Sequence, residues 1–201
     1  MKLLHLDSSI LGDHSVSRQL TREVVDAIRL AEPAVDLSYR DLTTGLGLQV
    51  DGALLAARGL PPGQRSPAQQ ALVAQADAVM AEFLAAELLV IGAPMYNFGI
   101  PSQLKTWIDL ISVAGVTFRY GPNGHEGLAT GKRVVIVATA GGQYAGRPEG
   151  RAHVDYLRQL LTFLGISDIR VVTAEGLAMG PAVRDPALVA ARARIAEVGM
   201  A

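Results

Sequence analysis

The chain has 201 residues, of which half are apolar and 18% are charged. That length suits one α/β domain with a sizeable core, and the apolar content excludes disorder for most of the chain. A formal net charge of -1 argues against a nucleic-acid partner, because proteins that bind a phosphate backbone carry a strong basic excess. Cys is absent, which excludes disulfides, thiolate metal ligands and a Cys nucleophile, and fits a reducing compartment.

No targeting or membrane-spanning segment is predicted. The apolar run at the N-terminus is too short for a signal peptide and ends at Asp7. The longest uncharged stretch, residues 88–104, is interrupted by glycine and proline, whereas a membrane span needs about 20 apolar residues. We therefore expect a cytoplasmic protein without a membrane partner.

Strands and helices alternate along the chain, which predicts a parallel sheet with helices on both faces. In chain order we expect strand 2–6, helix 18–30, strand 35–39, helix 67–84, strand 88–91, helix 102–113, strand 133–138, helix 153–164, strand 169–172 and helix 185–198. Asp185 and Pro186 mark the start of the last helix. Residues 45–67 are irregular, with room for short helices, and residues 115–132 form a polar connection.

Ligands of such open sheets bind at the carboxyl ends of the strands, where the strand order reverses. Loops with unusual residues follow the first, third and fourth predicted strands, at residues 7–17, 93–101 and 139–144. These loops meet if the strand order is 2-1-3-4-5, the flavodoxin-like order. We therefore expect one α/β domain over residues 1–201, a doubly wound five-stranded parallel sheet in three α/β/α layers.

The first of these loops is rich in serine and leads directly into a helix. Backbone N–H groups and the positive end of the helix dipole favour an anion at such a position. The hydroxyl groups of Ser9, Ser15 and Ser17 would add donors that suit a phosphate monoester. Alternatively, Ser15 or Ser17 alone serves only to cap the helix. The cluster as a whole favours a phosphate site.

The second loop places aromatic and apolar side chains between two prolines. Met95, Tyr96 and Phe98 would pack against a planar ring while Asn97 meets its polar edge. The alternative is a loop whose Met95 and Phe98 are buried in the core. In the third loop, Gly141 and Gly142 would let the backbone approach a ligand and adopt positive φ, although an ordinary turn explains this pair equally well.

Other chemistries lack their motifs. No Gly-x-Gly-x-x-Gly follows the first strand and no Walker A loop is present, which disfavours a dinucleotide-binding unit of the Rossmann type and a P-loop. His5 is expected to be structural, and His14 either adds a donor to the serine loop or is solvated. His125 and His153 lack metal-ligand spacing and the acidic residues are scattered, so we assign no metal and no catalytic carboxylate pair.

Together the loops resemble the FMN-dependent NADH azoreductase and quinone reductase family of flavodoxin-like enzymes. The resemblance spans nearly the whole chain, and its most specific part is the Pro-Met-Tyr-Asn-Phe segment with the helix after it. The matching segments are residues 6–9, 15–17, 93–105, 117–120, 127–128, 131–132, 141–142 and 174–176. Family members typically carry Ser-Arg before the glycine pair, where this chain has Thr139 and Ala140.

The resemblance implies a homodimer with one noncovalent FMN per subunit, NADH or NADPH as electron donor, and quinones or azo compounds as acceptors. The residues that it assigns to the FMN phosphate are Ser9, Ser15, Val16 and Ser17. Those that it assigns to the isoalloxazine are Met95, Tyr96, Asn97 and Phe98, with Thr139, Ala140, Gly141 and Gly142 beside the pyrimidine. Asn97 would stabilise negative charge on reduced flavin. Tyr120 would form part of the substrate-pocket wall.

The implied reaction is ping-pong: the nicotinamide passes a hydride to flavin N5 and leaves, and the acceptor then takes its place. The cofactor carries this chemistry, so no catalytic triad is required. The main alternative is a non-enzymatic flavodoxin-type electron carrier, which the small net charge disfavours because carriers steer their partners with charged surfaces. A receiver domain is also disfavoured, because its phosphoacceptor aspartate is missing after the third predicted strand.

Overall fold

The computed structural model describes residues 1–122 and 124–199. Its strands are β1 (Lys2–Asp7), β2 (Asp36–Asp41), β3 (Leu88–Pro94), β4 (Phe118–Gly121), β5 (Gly124–Gly127), β6 (Arg133–Thr139) and β7 (Asp168–Ala174). Its helices are α1 (Val16–Ala31), α2 (Gly52–Gly59), α3 (Pro67–Ala85), α4 (Ser102–Ile111), α5 (Pro148–Phe163) and α6 (Pro181–Gly199). Asn123, Met200 and Ala201, which the single-domain prediction includes, lie outside the described residues.

The main sheet is parallel and runs in the order β2-β1-β3-β6-β7. This confirms the predicted order 2-1-3-4-5, because β4 and β5 form a separate antiparallel hairpin. The chain first extends the sheet from β1 to β2 and then returns to the other side of β1 with β3. The switch point therefore lies between β1 and β3, as expected for ligand binding at this edge.

Two hydrophobic clusters cover the two faces of the sheet. Leu4 and Leu6 face the cluster that contains buried residues of α3, α4 and α5, whereas Leu3 faces the cluster formed with α1 and α6. Every residue of β3 is buried, which agrees with a central strand covered on both faces. Within the larger cluster the Phe83 and Trp107 rings meet edge to face at 5.7 Å, which fixes α3 against α4.

The helix α3 begins at the predicted residue, Pro67, behind a capping box. The Ser66 hydroxyl accepts a hydrogen bond from the Gln69 amide, and the Gln69 side chain accepts one from the Ser66 amide. Pro67 fills the first helical position, where its missing N–H is not needed.

Among the described residues, no helix is both long and apolar enough to cross a membrane.

The predicted start of the last helix at Asp185 and Pro186 is wrong. The helix α6 begins four residues earlier, at Pro181, and Pro186 lies inside it. Gly180, with a φ of 86°, turns the chain into the helix, and its carbonyl accepts hydrogen bonds from the amides of Val183 and Arg184. Pro181 opens the helix, whereas Pro186 lies in its second turn and cannot donate the usual hydrogen bond to the carbonyl of Ala182.

The hairpin β4–β5 was not predicted within the polar connection, although its strands pair over their whole length. Its Arg119 and Glu126 form a cross-strand ion pair at 2.7 Å. On the protein side, Phe118 and His125 both contact the ring of Phe163 at 4.8 Å between centroids, which anchors the hairpin on the end of α5.

Gly127 of the hairpin is predicted to tolerate no side chain. A Cβ at this position would lie 2.1 Å from the Gly165 amide nitrogen and 2.4 Å from the Leu164 carbonyl carbon, and backbone atoms cannot move aside as side chains do. We expect Gly127→Ala to lower the free energy of unfolding by about 1–3 kcal/mol, the usual cost of overpacking. Urea denaturation measures this loss.

Gly121→Ala is the matched control in the same hairpin. A Cβ there would find its nearest contact at 4.0 Å, so we expect a change within about 0.5 kcal/mol. Equal stability of the two variants would mean that the hairpin does not pack on α5 as described.

Candidate functional site

The loops that follow β1, β3 and β6 meet at a cavity of about 380 Å³. Predicted site residues that line it are Ser9, Ser15, Val16, Met95, Tyr96, Thr139, Ala140 and Gly141. These residues come from segments separated by more than 40 residues in the chain, and the sheet order brings them together. The cavity therefore lies at the predicted switch-point edge.

The serine cluster caps α1 and still leaves donors without an acceptor. The Ser15 hydroxyl caps α1 by accepting a hydrogen bond from the Arg18 amide at 3.3 Å, and it lies 3.0 Å from the Ser17 hydroxyl. Among the described residues, the amides of Val16 and Ser17 in the first helical turn have no acceptor. Helix capping thus leaves two N–H donors and two buried hydroxyls at the start of α1, where Ser15 and Val16 line the cavity.

Tyr96 connects the first loop to the second. Its hydroxyl lies 3.2 Å from the Ser9 hydroxyl and accepts a hydrogen bond from the Ile10 amide at 3.1 Å. The neighbouring Met95 amide donates to the Thr139 carbonyl at 2.7 Å. Consecutive residues of the second loop therefore hold the first and the third loop in place across the cavity.

The second loop ends in a tight turn with Asn97 and Phe98 at its centre. Tyr96 and Gly99 exchange hydrogen bonds at 3.0 Å in both directions, and the central residues have φ values of 50° and 66°. Two consecutive positive φ values define a type I′ turn, which Asn accepts readily and Phe rarely. The strained conformation leaves Phe98 53% exposed, so its ring is not part of the core.

Phe98→Gly tests whether this ring serves binding or folding. The variant creates Asn-Gly, the favoured type I′ pair, and that gain offsets the lost edge-to-face contact with Tyr144 at 5.8 Å. We expect the free energy of unfolding to stay within about 1 kcal/mol of the wild type, while affinity for riboflavin falls by about three- to tenfold. Thermal unfolding and flavin-fluorescence titration measure both. A destabilisation above about 2 kcal/mol with unchanged affinity would contradict the binding role.

The structure does not show the positive φ that the sequence left open for Gly141 and Gly142. Both residues run alongside the loop after β7, where their carbonyls accept hydrogen bonds from the Ala178 and Gly176 amides at 2.9 and 2.7 Å. The positive φ of 72° belongs to Gly176 in that neighbouring loop. A Cβ at Gly142 would lie 2.9 Å from the Tyr144 ring, so this glycine makes room for the tyrosine.

Some predicted site residues do not line the cavity. Ser17 is buried next to Ser15, and Asn97 and Phe98 lie on the turn beyond Tyr96. Gly142 follows the lining residue Gly141, and Tyr120 lies in the hairpin, 74% exposed, with its ring 5.7 Å from that of Phe118. The assigned roles of these residues stay predictions.

Sequence reasoning did not place the loop after β7 in the cavity wall. Further lining residues are Leu11, His14, Pro94, Leu177, Ala178 and Arg184. Leu177, Ala178 and Arg184 belong to this loop and the first turn of α6, which reach the cavity because β7 pairs with β6. The parallel order itself was the available signal, since the carboxyl ends of neighbouring parallel strands lie at the same edge.

In residues 1–122 and 124–199, no cluster of three acidic or histidine side chains is placed to bind a metal.

Arg18 supports the serine loop from behind, a role the sequence did not reveal. This side chain, 8% exposed, donates to the Ser9 carbonyl from Nε and Nη2 at 3.2 and 2.8 Å. It also forms a bidentate pair with Asp41 at 2.7 and 2.8 Å, and it donates to Thr43 at 3.1 Å. The guanidinium thus ties the backbone of the phosphate-loop candidate to the end of β2.

The charges of this pair depend on each other. Burial alone would raise the pKa of Asp41, but hydrogen bonds from Arg18 and Thr43 outweigh it and hold the pKa below its ordinary value. Burial and the nearby Asp7 and Asp41 carboxylates raise the pKa of Tyr39 to about 12, so its hydroxyl stays protonated beside Arg18. At neutral pH the Arg18–Asp41 pair is therefore charged, and the Tyr39 hydroxyl beside it is neutral.

The family of the flavodoxin-like fold matches residues 1–198 of the chain. An FMN-dependent NADH:quinone oxidoreductase 2 of Pseudomonas aeruginosa is 56% identical over 196 residues, which cover 98% of this chain and 97% of that protein. An FMN-dependent NADH:quinone oxidoreductase 1 of Pseudomonas putida is 52% identical, with the same coverage.

Solved structures of two azoreductases have the same fold as this chain. An FMN-dependent NADH-azoreductase of Bacillus anthracis, crystallised in complex with FMN, superposes with a TM-score of 0.88 at 25% identity, covering 98% of this chain and 97% of that one. A second azoreductase of Bacillus anthracis gives a TM-score of 0.88 at 26% identity, covering 100% and 99%. The chain therefore belongs to the flavodoxin-like fold family.

Proposed function

We propose that the protein is an FMN-dependent oxidoreductase that passes electrons from NADH or NADPH to quinones and aromatic azo compounds. The observation that carries this proposal is the cavity, which joins hydroxyl and amide donors at the start of α1 to an aromatic turn at the end of β3. The relatives named as FMN-dependent NADH:quinone oxidoreductases share about half of their residues with this chain.

The donors at the start of α1 fit a phosphate monoester. Ser9, Ser15 and Ser17 would supply hydroxyls, and the amides of Val16 and Ser17 would supply N–H groups that have no other acceptor among the described residues. All three serines are at most 1% exposed, so water competes weakly for these donors. Charge-assisted hydrogen bonds to a phosphate are stronger than neutral ones under such conditions.

The opposite part of the cavity fits a planar ring. Met95 and Tyr96 would contact the isoalloxazine, and the strained turn would bring Asn97 to its polar edge. Thr139, Ala140 and Gly141 would line the pyrimidine side. Hydrogen bonds between the loops keep this wall rigid. Ligand binding would therefore lose little conformational entropy by ordering the loops.

Bound FMN would carry the electrons between donor and acceptor. The residues of this chain would hold the ring, exclude water, and place the Asn97 amide where negative charge develops. Donor and acceptor would bind in turn at the same open face, in the ping-pong order implied by the resemblance. Parallel lines in a double-reciprocal plot with NADH and a quinone would support that order, and intersecting lines would contradict it.

The test of this proposal is NADH-dependent reduction of menadione and of an azo dye by the FMN-loaded protein, with Asn97→Ala as the comparison. We expect turnover with both acceptors, and a lower rate of reduction or weaker FMN retention in the variant. Turnover that requires an added reductase would favour the electron-carrier alternative. Bound FMN without any turnover would contradict the proposed activity.

We also propose that two copies associate and that the protein is cytoplasmic. Large apolar side chains that are exposed in the monomer support the first point, among them Leu11 in the cavity wall, Phe98 on the turn after β3 and Tyr120 on the hairpin. Sedimentation velocity at micromolar concentration should give about twice the mass of 21.2 kDa, and a single monomer boundary would contradict the dimer. Cell fractionation tests the location.

A further inference from the structure

Arg184 is the one arginine or lysine among the described residues that line the cavity. Its side chain is exposed and forms no hydrogen bond or ion pair with any residue of 1–122 and 124–199. Further along the same helix, Arg192 pairs with Glu23 at 3.0 Å and Arg194 pairs with Glu197. The cavity therefore borders a positive charge that no described residue neutralises.

The position of Arg184 is fixed by tight packing at the start of α6. Its amide donates to the Gly180 carbonyl at 3.0 Å, in the first turn of the helix. A Cβ at Gly176 would lie 2.5 Å from Cγ1 of Val183, so the loop after β7 and this first turn are in close contact. The same loop hydrogen-bonds to Gly141 and Gly142. The backbone that carries the guanidinium is thus joined to the cavity wall.

The other polar groups of the cavity indicate which kind of ligand would pair with the Arg184 charge. Its lining contains the Ser9 and Ser15 hydroxyls but no aspartate or glutamate, and His14 is its other basic side chain. Ala140 contributes no charge to the wall. The cavity thus offers hydroxyl and N–H donors and an arginine, and it contains no carboxylate. Such a set of groups binds a phosphate better than it binds a neutral ring.

We propose that Arg184 binds the phosphate of FMN and is a determinant of the preference for FMN over riboflavin. The inference rests on the proposed function and deepens it. The guanidinium would supply a charge-assisted hydrogen bond from α6, in addition to the hydroxyl and N–H donors of α1. The phosphates of the nicotinamide dinucleotide have the same chemistry, and the experiment distinguishes the two sources.

The experiment compares Arg184→Gln, Arg184→Lys and the control Arg194→Gln, which removes an equal charge from the same helix away from the cavity. Flavin-fluorescence quenching measures the Kd of FMN and of riboflavin at low and high salt. We expect Arg184→Gln to weaken FMN binding about ten- to hundredfold and riboflavin binding less than about twofold. Arg184→Lys should be intermediate, and Arg194→Gln should match the wild type.

Several results would overturn the inference. One is a Kd for FMN that is unchanged in Arg184→Gln, with or without a raised KM for NADH; the raised KM would assign the guanidinium to the dinucleotide phosphates. Another is an equal loss for FMN and riboflavin, which would mean that Arg184 supports the fold of the cavity. Failure of the wild type to bind any flavin would contradict the proposed function itself.

Discussion

Replacing Ser9 and Ser17 together by alanine is expected to weaken FMN binding by about a hundred- to ten-thousandfold and riboflavin binding by less than about threefold. A hydrogen bond to a charged group contributes about 1.5–3 kcal/mol, and the double variant removes two such donors. Riboflavin lacks the phosphate, so it loses only indirect effects of the substitutions. Isothermal titration with both ligands measures the two losses.

Ser8→Ala is the matched control in the same loop. The buried Ser8 hydroxyl donates to the Gly92 carbonyl at 2.6 Å and is not part of the cavity lining. We expect this variant to lose stability while it keeps the ratio of the two flavin affinities. Equal losses of FMN and riboflavin in the Ser9/Ser17 variant would mean that these serines do not hold a phosphate.

Arg18→Met is expected to lower the free energy of unfolding by about 3–5 kcal/mol. The substitution keeps most of the apolar volume, but it removes the guanidinium from Asp41, which keeps only its hydrogen bonds from Thr43, and it leaves the Ser9 carbonyl without its donor. Removing one partner of a largely buried ion pair has a cost of this order. FMN affinity should fall as well, because the backbone of Ser9 loses its support. Urea denaturation at pH 7 measures the stability.

The pH dependence of this loss gives an independent check. Because the folded-state pKa of Asp41 lies below its ordinary 3.8, its ionisation stabilises the protein above that pH, and this contribution is lost as the pH falls through the folded pKa. The difference between wild type and Arg18→Met should therefore shrink at pH 3. As a control, the exposed Arg22→Met should change stability by about 0.5 kcal/mol or less. A difference that stays constant between pH 7 and pH 3 would contradict the role of the pair.

The parallel sheet was predictable because its central strands are apolar on both faces, and its order because the unusual loops meet only in the order 2-1-3-4-5. The run of β3 is apolar on both faces, and such a strand is stable only between parallel neighbours covered by helices. The hairpin β4–β5 was missed because its strands are four residues long and polar, and their pairing depends on contacts with Phe163. Turn residues at Gly121-Pro122 and Gly124 were the available signal.

The site was predictable where one loop carries several polar or aromatic residues, as around Ser15 and Tyr96. It was not predictable where the contact depends on tertiary structure, as for Arg18 behind the first loop and Arg184 on the last helix. A single arginine on a helix resembles a solvated charge in sequence. The backbone conformation of Gly141 could not be predicted from the sequence either, because it depends on hydrogen bonds with the loop after β7.

The central claim is that this cavity holds FMN in a form that a nicotinamide can reduce. The most direct test follows the visible absorption of the FMN-loaded protein after anaerobic mixing with NADH, and with NADPH in parallel. Our account predicts a bound-flavin spectrum that bleaches promptly with at least one donor and returns when a quinone is added. A protein that binds no flavin, or a bound flavin that stays oxidised with both donors, would contradict it.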